Sequence, residues 1–133
     1  DENYFDFIIS LAVVEHIQNP DNFFQNAMRC LKKDGLIYLT TPNFTYCYES
    51  FYDDYTHVKP YTAESLRYIL DTYNFEKINI LPGLRCKPKW YYTGKLRFWI
   101  AAKLIPFTNN YKILPSILKG KATSLIGIAK KKK

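Results

Sequence analysis

Residues 5–42 read FDFIISLAVVEHIQNPDNFFQNAMRCLKKDGLIYLTTP, and the punctuation of that stretch decides the fold. Phe5, Phe7, Ile8 and Ile9 form a short apolar run ending at Ser10, the pattern of a strand covered on both faces. Asn19-Pro20-Asp21 signals a helix start, with Asn as cap, Pro in the first turn and an acid near the positive helix end. Phe23, Phe24, Ala27, Met28 and Leu31 then recur at helical spacing and mark one buried face. Lys32, Lys33 and Gly35 close the helix, with Gly35 free to take the left-handed conformation. Leu36–Thr41 is apolar or β-branched apart from Tyr38, and Pro42 stops it. Strand, helix and strand in this order form a βαβ unit, which packs right-handed with parallel strands.

Working outward, Thr62 caps a second helix whose Leu66, Ile69, Leu70 and Tyr73 fall at i, i+3, i+4 and i+7. Asn74 suits a left-handed helix stop, and Phe75–Leu81 reads as the next strand. At the far end Thr123–Ala129 is a last short strand, with Lys130–Lys133 as a frayed basic tail. Between these, Pro82, Pro88, Pro106 and Pro115 break the alternation, and Gly94–Ile105 is the one good helix candidate. The expected organisation is one domain: a sheet-and-helix core over 1–83, a basic aromatic helical insertion over 84–120, and a strand with a Lys tail over 121–133.

Charge is divided along the chain. All 12 acidic residues lie in 1–80, whereas the chain from 81 onward carries most of the 19 Lys and Arg and no acid. Such a block attracts anions, whether phospholipid headgroups, nucleic acid or an anionic substrate, or is simply a solvated tail. Its basic residues are mixed with bulky aliphatics, which disfavours a nucleic-acid surface. Trp90, Tyr91, Tyr92, Phe98 and Trp99 with interleaved Arg and Lys suit an anionic membrane interface or a greasy, phosphate-bearing acceptor. They suit a helix packed on its own sheet or on a partner equally well. No run reaches the roughly 18–20 apolar residues of a membrane span. Cys30, Cys47 and Cys86 form no CxxC pair, which argues against zinc and for reduced, cytoplasmic thiols.

The order Phe5-Asp6-Phe7-Ile8-Ile9, Glu15-His16, Asn19-Pro20, then Leu31-Lys32-Lys33-Asp34-Gly35 and Thr41-Pro42-Asn43, resembles class I S-adenosylmethionine-dependent methyltransferases of the small-molecule and cell-envelope branch. Asp54, His57, Tyr61-Thr62, Ser65-Leu66, Asn74-Phe75 and Leu125–Lys130 extend the resemblance over nearly the whole chain except 84–120. Asp34 stands where the family has the first Gly of its turn, a departure that Gly35 is expected to make harmless. The resemblance implies a Rossmann-like α/β sheet in order 3-2-1-4-5-7-6 with the seventh strand antiparallel. This chain would hold the C-terminal half, four strands in spatial order 4-5-7-6. No Gly occurs before Gly35, so the glycine-rich cofactor loop is expected to lie outside this chain. The fragment alone is then expected to bind S-adenosylmethionine poorly or not at all.

In open α/β sheets ligands sit beyond the carboxyl ends of the strands. The resemblance accordingly puts Ser10, Leu11, Ala12 and Val13 beside the cofactor, unless Leu11 and Val13 are merely core. His16 and His57 are the candidate bases for an oxygen acceptor, although each can equally brace its loop. Asp54 is placed to orient His57. Glu15, Asn43, Asp54 and Tyr52 are assigned to the acceptor side, and Tyr46 and Tyr48 either line a pocket or cover the sheet edge. Quinone-biosynthesis relatives with the same Glu-His pair are metal-assisted through an extra upstream carboxylate; Ala12 occupies that place, so no metal is expected. The implied function is methyl transfer to a small molecule, lipid-linked or envelope-glycan acceptor by a cytoplasmic protein, peripheral at the inner face of the membrane. The alternative is a degenerate, non-catalytic module docking to an anionic membrane or a partner.

Overall fold

A computed structural model of the chain describes residues 2–83 and 122–132. The elements are β1 (Phe5–Leu11), a 3-10 turn (Val14–His16), α1 (Asp21–Cys30), β2 (Leu31–Pro42) and α2 (Phe44–Cys47). A second 3-10 turn (Phe51–Asp53), α3 (Ala63–Thr72), β3 (Phe75–Pro82) and β4 (Ser124–Lys131) complete the order. The sheet runs β1-β2-β4-β3, with β1 parallel to β2 and β4 antiparallel to both its neighbours. That is the expected 4-5-7-6 arrangement. The 84–120 insertion, with its aromatic and basic residues and Cys86, lies outside the described residues.

Alternation along β2 buries Ile37, Leu39 and Thr41, and β4 adds Leu125 and Ala129. Phe24 and Ala27 of α1 and Leu66 and Leu70 of α3 join them in one apolar cluster. Each large side chain buried there contributes about 1.5–3 kcal/mol. The two helices also meet directly: Phe24 stacks on Tyr73 with centroids 5.4 Å apart, and the Tyr73 hydroxyl donates to Asp21. Thr62 and Ser65 form a reciprocal capping box at the start of α3. Asn74 ends that helix at φ 61°, as its residue type suggests.

Three expectations are corrected. Among the described residues β1 is covered on one face only: Ile8 and Ser10 face the core, whereas the alternate side chains Phe5, Phe7, Ile9 and Leu11 are exposed. The left-handed residue after α1 is Asp34, at φ 67°, and not Gly35. Glycine is needed at 35 for close approach, since a Cβ there would lie 2.9 Å from the Lys32 carbonyl oxygen. Finally, Lys130 and Lys131 belong to β4 instead of fraying. Lys130 pairs with Asp34 at 2.8 Å, and the Lys131 ammonium donates to the Leu31 carbonyl at 2.7 Å and to Asn3 at 2.9 Å.

Asp34 therefore combines a strained backbone with a partly exposed ion pair. Asp34→Gly relieves the strain and forfeits only the pair, whereas Asp34→Ala keeps the strain and loses the pair. The Gly variant should be the more stable of the two by about 1 kcal/mol. Urea unfolding of both would test this, and coincident midpoints would refute it.

Candidate active site

The carboxyl ends of β1, β2 and β3 and the start of β4 meet at one edge of the sheet, where they border a cleft of about 640 Å³. Its base is made of Thr40, Thr41 and Pro42 with Gly83 and Ser124. Gly83 N–H donates to the Ser124 carbonyl and the Ser124 hydroxyl donates back to the Gly83 carbonyl, both at 2.8 Å. A Cβ on Gly83 would fall 2.2 Å from that hydroxyl, so only glycine closes the base this tightly. Across from it, Ala12 turns the chain out of β1 at φ 51°, with its N–H donated to the Thr40 carbonyl at 3.0 Å.

Two loops then bring the polar side chains together. The Glu15 carbonyl accepts from both Val58 and Lys59 N–H at 2.9 Å, which ties the loop after β2 to the 3-10 turn after β1. The His16 and His57 rings consequently lie with centroids 4.8 Å apart. His57 donates Nδ1–H to the Phe51 carbonyl at 2.7 Å, and its ring lies against that of Phe51. Its Nε2 is 3.7 Å from Asp54, too long for a hydrogen bond, and the contact is an ion pair only when the ring is protonated. His16 instead engages Thr56 through Nδ1, with the Thr56 hydroxyl at 2.8 Å and the carbonyl at 3.1 Å. Asp54 accepts from the Thr56 hydroxyl at 2.6 Å and from its N–H at 3.0 Å. Those two bonds, the hydroxyl's first, hold the Asp54 carboxyl below the ordinary carboxylate range.

The cleft also holds buried polar atoms without partners. Both carboxylate oxygens of Glu15 and the hydroxyl of Thr41 lack a hydrogen-bond partner among the described residues. Such groups are rare in folded proteins and tend to mark places where a ligand or water completes the site. Nearby Tyr61 is buried with its hydroxyl likewise unpartnered, and burial, then the Glu15 charge, pushes it up to about 12. Glu15, His16 and His57 each offer a ligand atom within 4.8 Å of the others, a set able to hold a metal ion. The methyl group of Ala12 gives no donor.

Ala12, Glu15, His16, Asp54 and His57 thus share one cleft. Ser10, Leu11, Val13, Asn43 and Tyr52 are not among its lining residues. Ser10 is buried, Leu11 and Val13 are exposed, and Asn43 spends its amide on the Ala122 carbonyl at 3.1 Å. Tyr52 and Tyr48 are exposed, with the Tyr48 hydroxyl donating to Glu49. Thr56 is the partner that the sequence reading missed. The spacing Asp54-x-Thr56 is that of a turn in which Asp bonds the amide two residues on, and it was the available signal.

The profile of a family described as "Methyltransferase domain" matches residues 1–80. A ubiquinone biosynthesis O-methyltransferase from Glaesserella parasuis is 40% identical over 45 residues, which is 34% of this chain and 19% of that protein. A SAM-dependent methyltransferase from Archaeoglobus fulgidus superimposes with a TM-score of 0.64 at 25% identity, covering 98% of this chain and 61% of its own. Phosphoethanolamine N-methyltransferase 2 of Haemonchus contortus, in complex with S-adenosyl-L-methionine, gives 0.61 at 16% identity, covering 100% of this chain and 34% of its own. The chain therefore spans less than two-thirds of the length of each of these relatives.

Because the Tyr61 hydroxyl is buried without a partner among the described residues, Tyr61→Phe should be neutral or stabilising by up to about 2 kcal/mol. Its raised pKa also links stability to pH: the contribution is complete below the ordinary tyrosine value and is lost as pH rises toward about 12. Thermal unfolding of wild type and Tyr61→Phe at neutral and alkaline pH checks both. A large loss of stability at neutral pH would mean that the hydroxyl has a partner.

Proposed function

This chain belongs to the methyltransferase-domain family, and from that premise we propose that it forms the acceptor side of an S-adenosylmethionine-dependent methyltransferase in which His16 takes the acceptor's proton. When bound, S-adenosylmethionine supplies an electrophilic methyl group. Its fit to this edge of the sheet is supported by the unpartnered buried atoms of Thr41 and Glu15, which a ligand there would satisfy. The protein's own task is to align the acceptor and to receive its proton.

The observation that carries the assignment is the unequal use of the two imidazoles. His57 is largely buried, donates to the Phe51 carbonyl and turns its other nitrogen toward Asp54, so it braces the loop. Among the described residues His16 is held through Nδ1 alone, which leaves Nε2 for an acceptor in the cleft. The O-methyltransferase relative supports an oxygen acceptor on a small molecule. A lipid-linked or envelope-glycan acceptor, handled at an anionic membrane surface through the basic residues of 84–120, extends that reading. No helix among the described residues is long and apolar enough to cross a membrane.

The Glu15, His16 and His57 set favours a second reading, in which those residues hold a divalent cation that acidifies the acceptor hydroxyl. Chelation separates the two: an EDTA-insensitive rate keeps His16 as the base, and a rate lost on chelation and restored by Mg²⁺ or Mn²⁺ favours the cation.

In the full-length protein, His16→Gln should lower kcat by roughly 10²–10⁴ while leaving S-adenosylmethionine affinity nearly unchanged. His57→Gln should lower thermal stability more than kcat. Equal kcat losses in the two variants would refute the division of roles. Failure of the full-length wild type to bind S-adenosylmethionine would leave a docking module as the better reading.

A further inference from the structure

A histidine serves as a base only through a nitrogen that carries no hydrogen, and a neutral histidine side chain in water favours its hydrogen on Nε2. For His16 that would be the wrong form, since Nε2 is the nitrogen left to the cleft. The surroundings of Nδ1 decide the matter. The Thr56 carbonyl, 3.1 Å from it, can only accept. The Thr56 hydroxyl, 2.8 Å from it, has a single hydrogen, and the 2.6 Å contact with Asp54 uses that hydrogen. An ionised carboxylate accepts and never donates, so Asp54 allows the hydroxyl no other arrangement. Two acceptors therefore converge on Nδ1, and the hydrogen must sit there.

We propose that Asp54 and Thr56 are positioning residues that lock His16 in its Nδ1–H tautomer and so keep Nε2 available for the acceptor's proton. This rests on the reading of His16 as the base. During transfer the acceptor O–H bond breaks, an Nε2–H bond forms, and its oxygen bonds the methyl carbon as the sulfur–carbon bond breaks and sulfur keeps that pair. The imidazolium that results carries hydrogen on both nitrogens and is faced by the Asp54 charge through the Thr56 hydroxyl. Glu15 and His57 are the other titratable groups beside it. Asp54 also bonds the Thr56 amide, which keeps the hydroxyl in place. The two bonds from Thr56 also hold the Asp54 carboxyl below the ordinary carboxylate range.

The signals lost in His16→Gln and in His57→Gln identify the two imidazoles of this chain. Long-range ¹H–¹⁵N correlation spectra of the full-length protein, labelled at histidine and recorded with the imidazoles neutral, report which nitrogen holds the hydrogen. His57→Gln leaves His16 as the single histidine of this chain. The expected result is an Nδ1–H signature for His16 in wild type. In Asp54→Ala the Thr56 hydroxyl loses the acceptor of its hydrogen and can turn that hydrogen toward Nδ1. The His16 nitrogens should then move toward the Nε2–H form, and kcat should fall roughly 10- to 100-fold, a part of what acid–base catalysis supplies, with KM little changed. Thr56→Val should shift the tautomer in the same direction but less, because valine removes one acceptor from Nδ1 without putting a donor in its place.

An Nε2–H signature in wild type overturns the proposal without any variant needing to fold. An unchanged tautomer in folded Asp54→Ala also overturns it, whatever kcat does. If the tautomers behave as expected but His16→Gln retains full activity, the positioning of the ring stands and its role as base falls.

Discussion

The antiparallel ladder between β2 and β4 runs from Leu36 opposite Lys130 to Pro42 opposite Ser124, and the cleft exists because of it. It places β4 between two strands that are close in sequence. That insertion returns residues 122–124 to the sheet edge where β1 and β2 release their loops. Asn43 seals the junction, with its N–H on the Thr123 carbonyl and its amide on the Ala122 carbonyl. Gly83 and Ser124 close the other side. Every polar residue of the cleft is placed relative to this base.

Above the base, the chemistry depends on two loops some forty residues apart. The Glu15 carbonyl holds the Val58 and Lys59 amides, and His16 and Thr56 hold each other. These bonds bring His16 and His57 side by side while giving the two rings different partners. Local stability is conceded at the same place. Ala12 sits at positive φ, and Glu15, Thr41 and Tyr61 bury polar atoms without partners among the described residues. Departures from the rules of good packing tend to collect where a protein has work to do.

Much of the fold was legible in the order of residues. Apolar periodicity located both long helices, Thr62 and Asn74 marked the ends of α3, and Pro42 marked the end of β2. The errors came where a local signal met a tertiary demand. Gly35 looked like the left-handed residue because glycine takes that conformation most easily. Asp34 takes it instead, since Gly35 must lie close to the Lys32 carbonyl and Asp34 gains Lys130 as a partner. Lys130 and Lys131 looked like a tail because a run of lysines has no apolar face. Their ammonium groups are held by Asp34, Asn3 and the Leu31 carbonyl. The exposed side chains of β1 read as buried because sequence records the apolar face and not what stands against it.

Sequence by itself determined the family, the strand and helix pattern and the residue types available for chemistry, since periodicity and capping are local properties. It narrowed the bases to His16 and His57 but could not separate them. Only tertiary structure gave them different roles, because a ring's free nitrogen depends on acceptors that arrive from elsewhere in the chain. For His16 those acceptors are the hydroxyl and carbonyl of Thr56, a residue forty positions away.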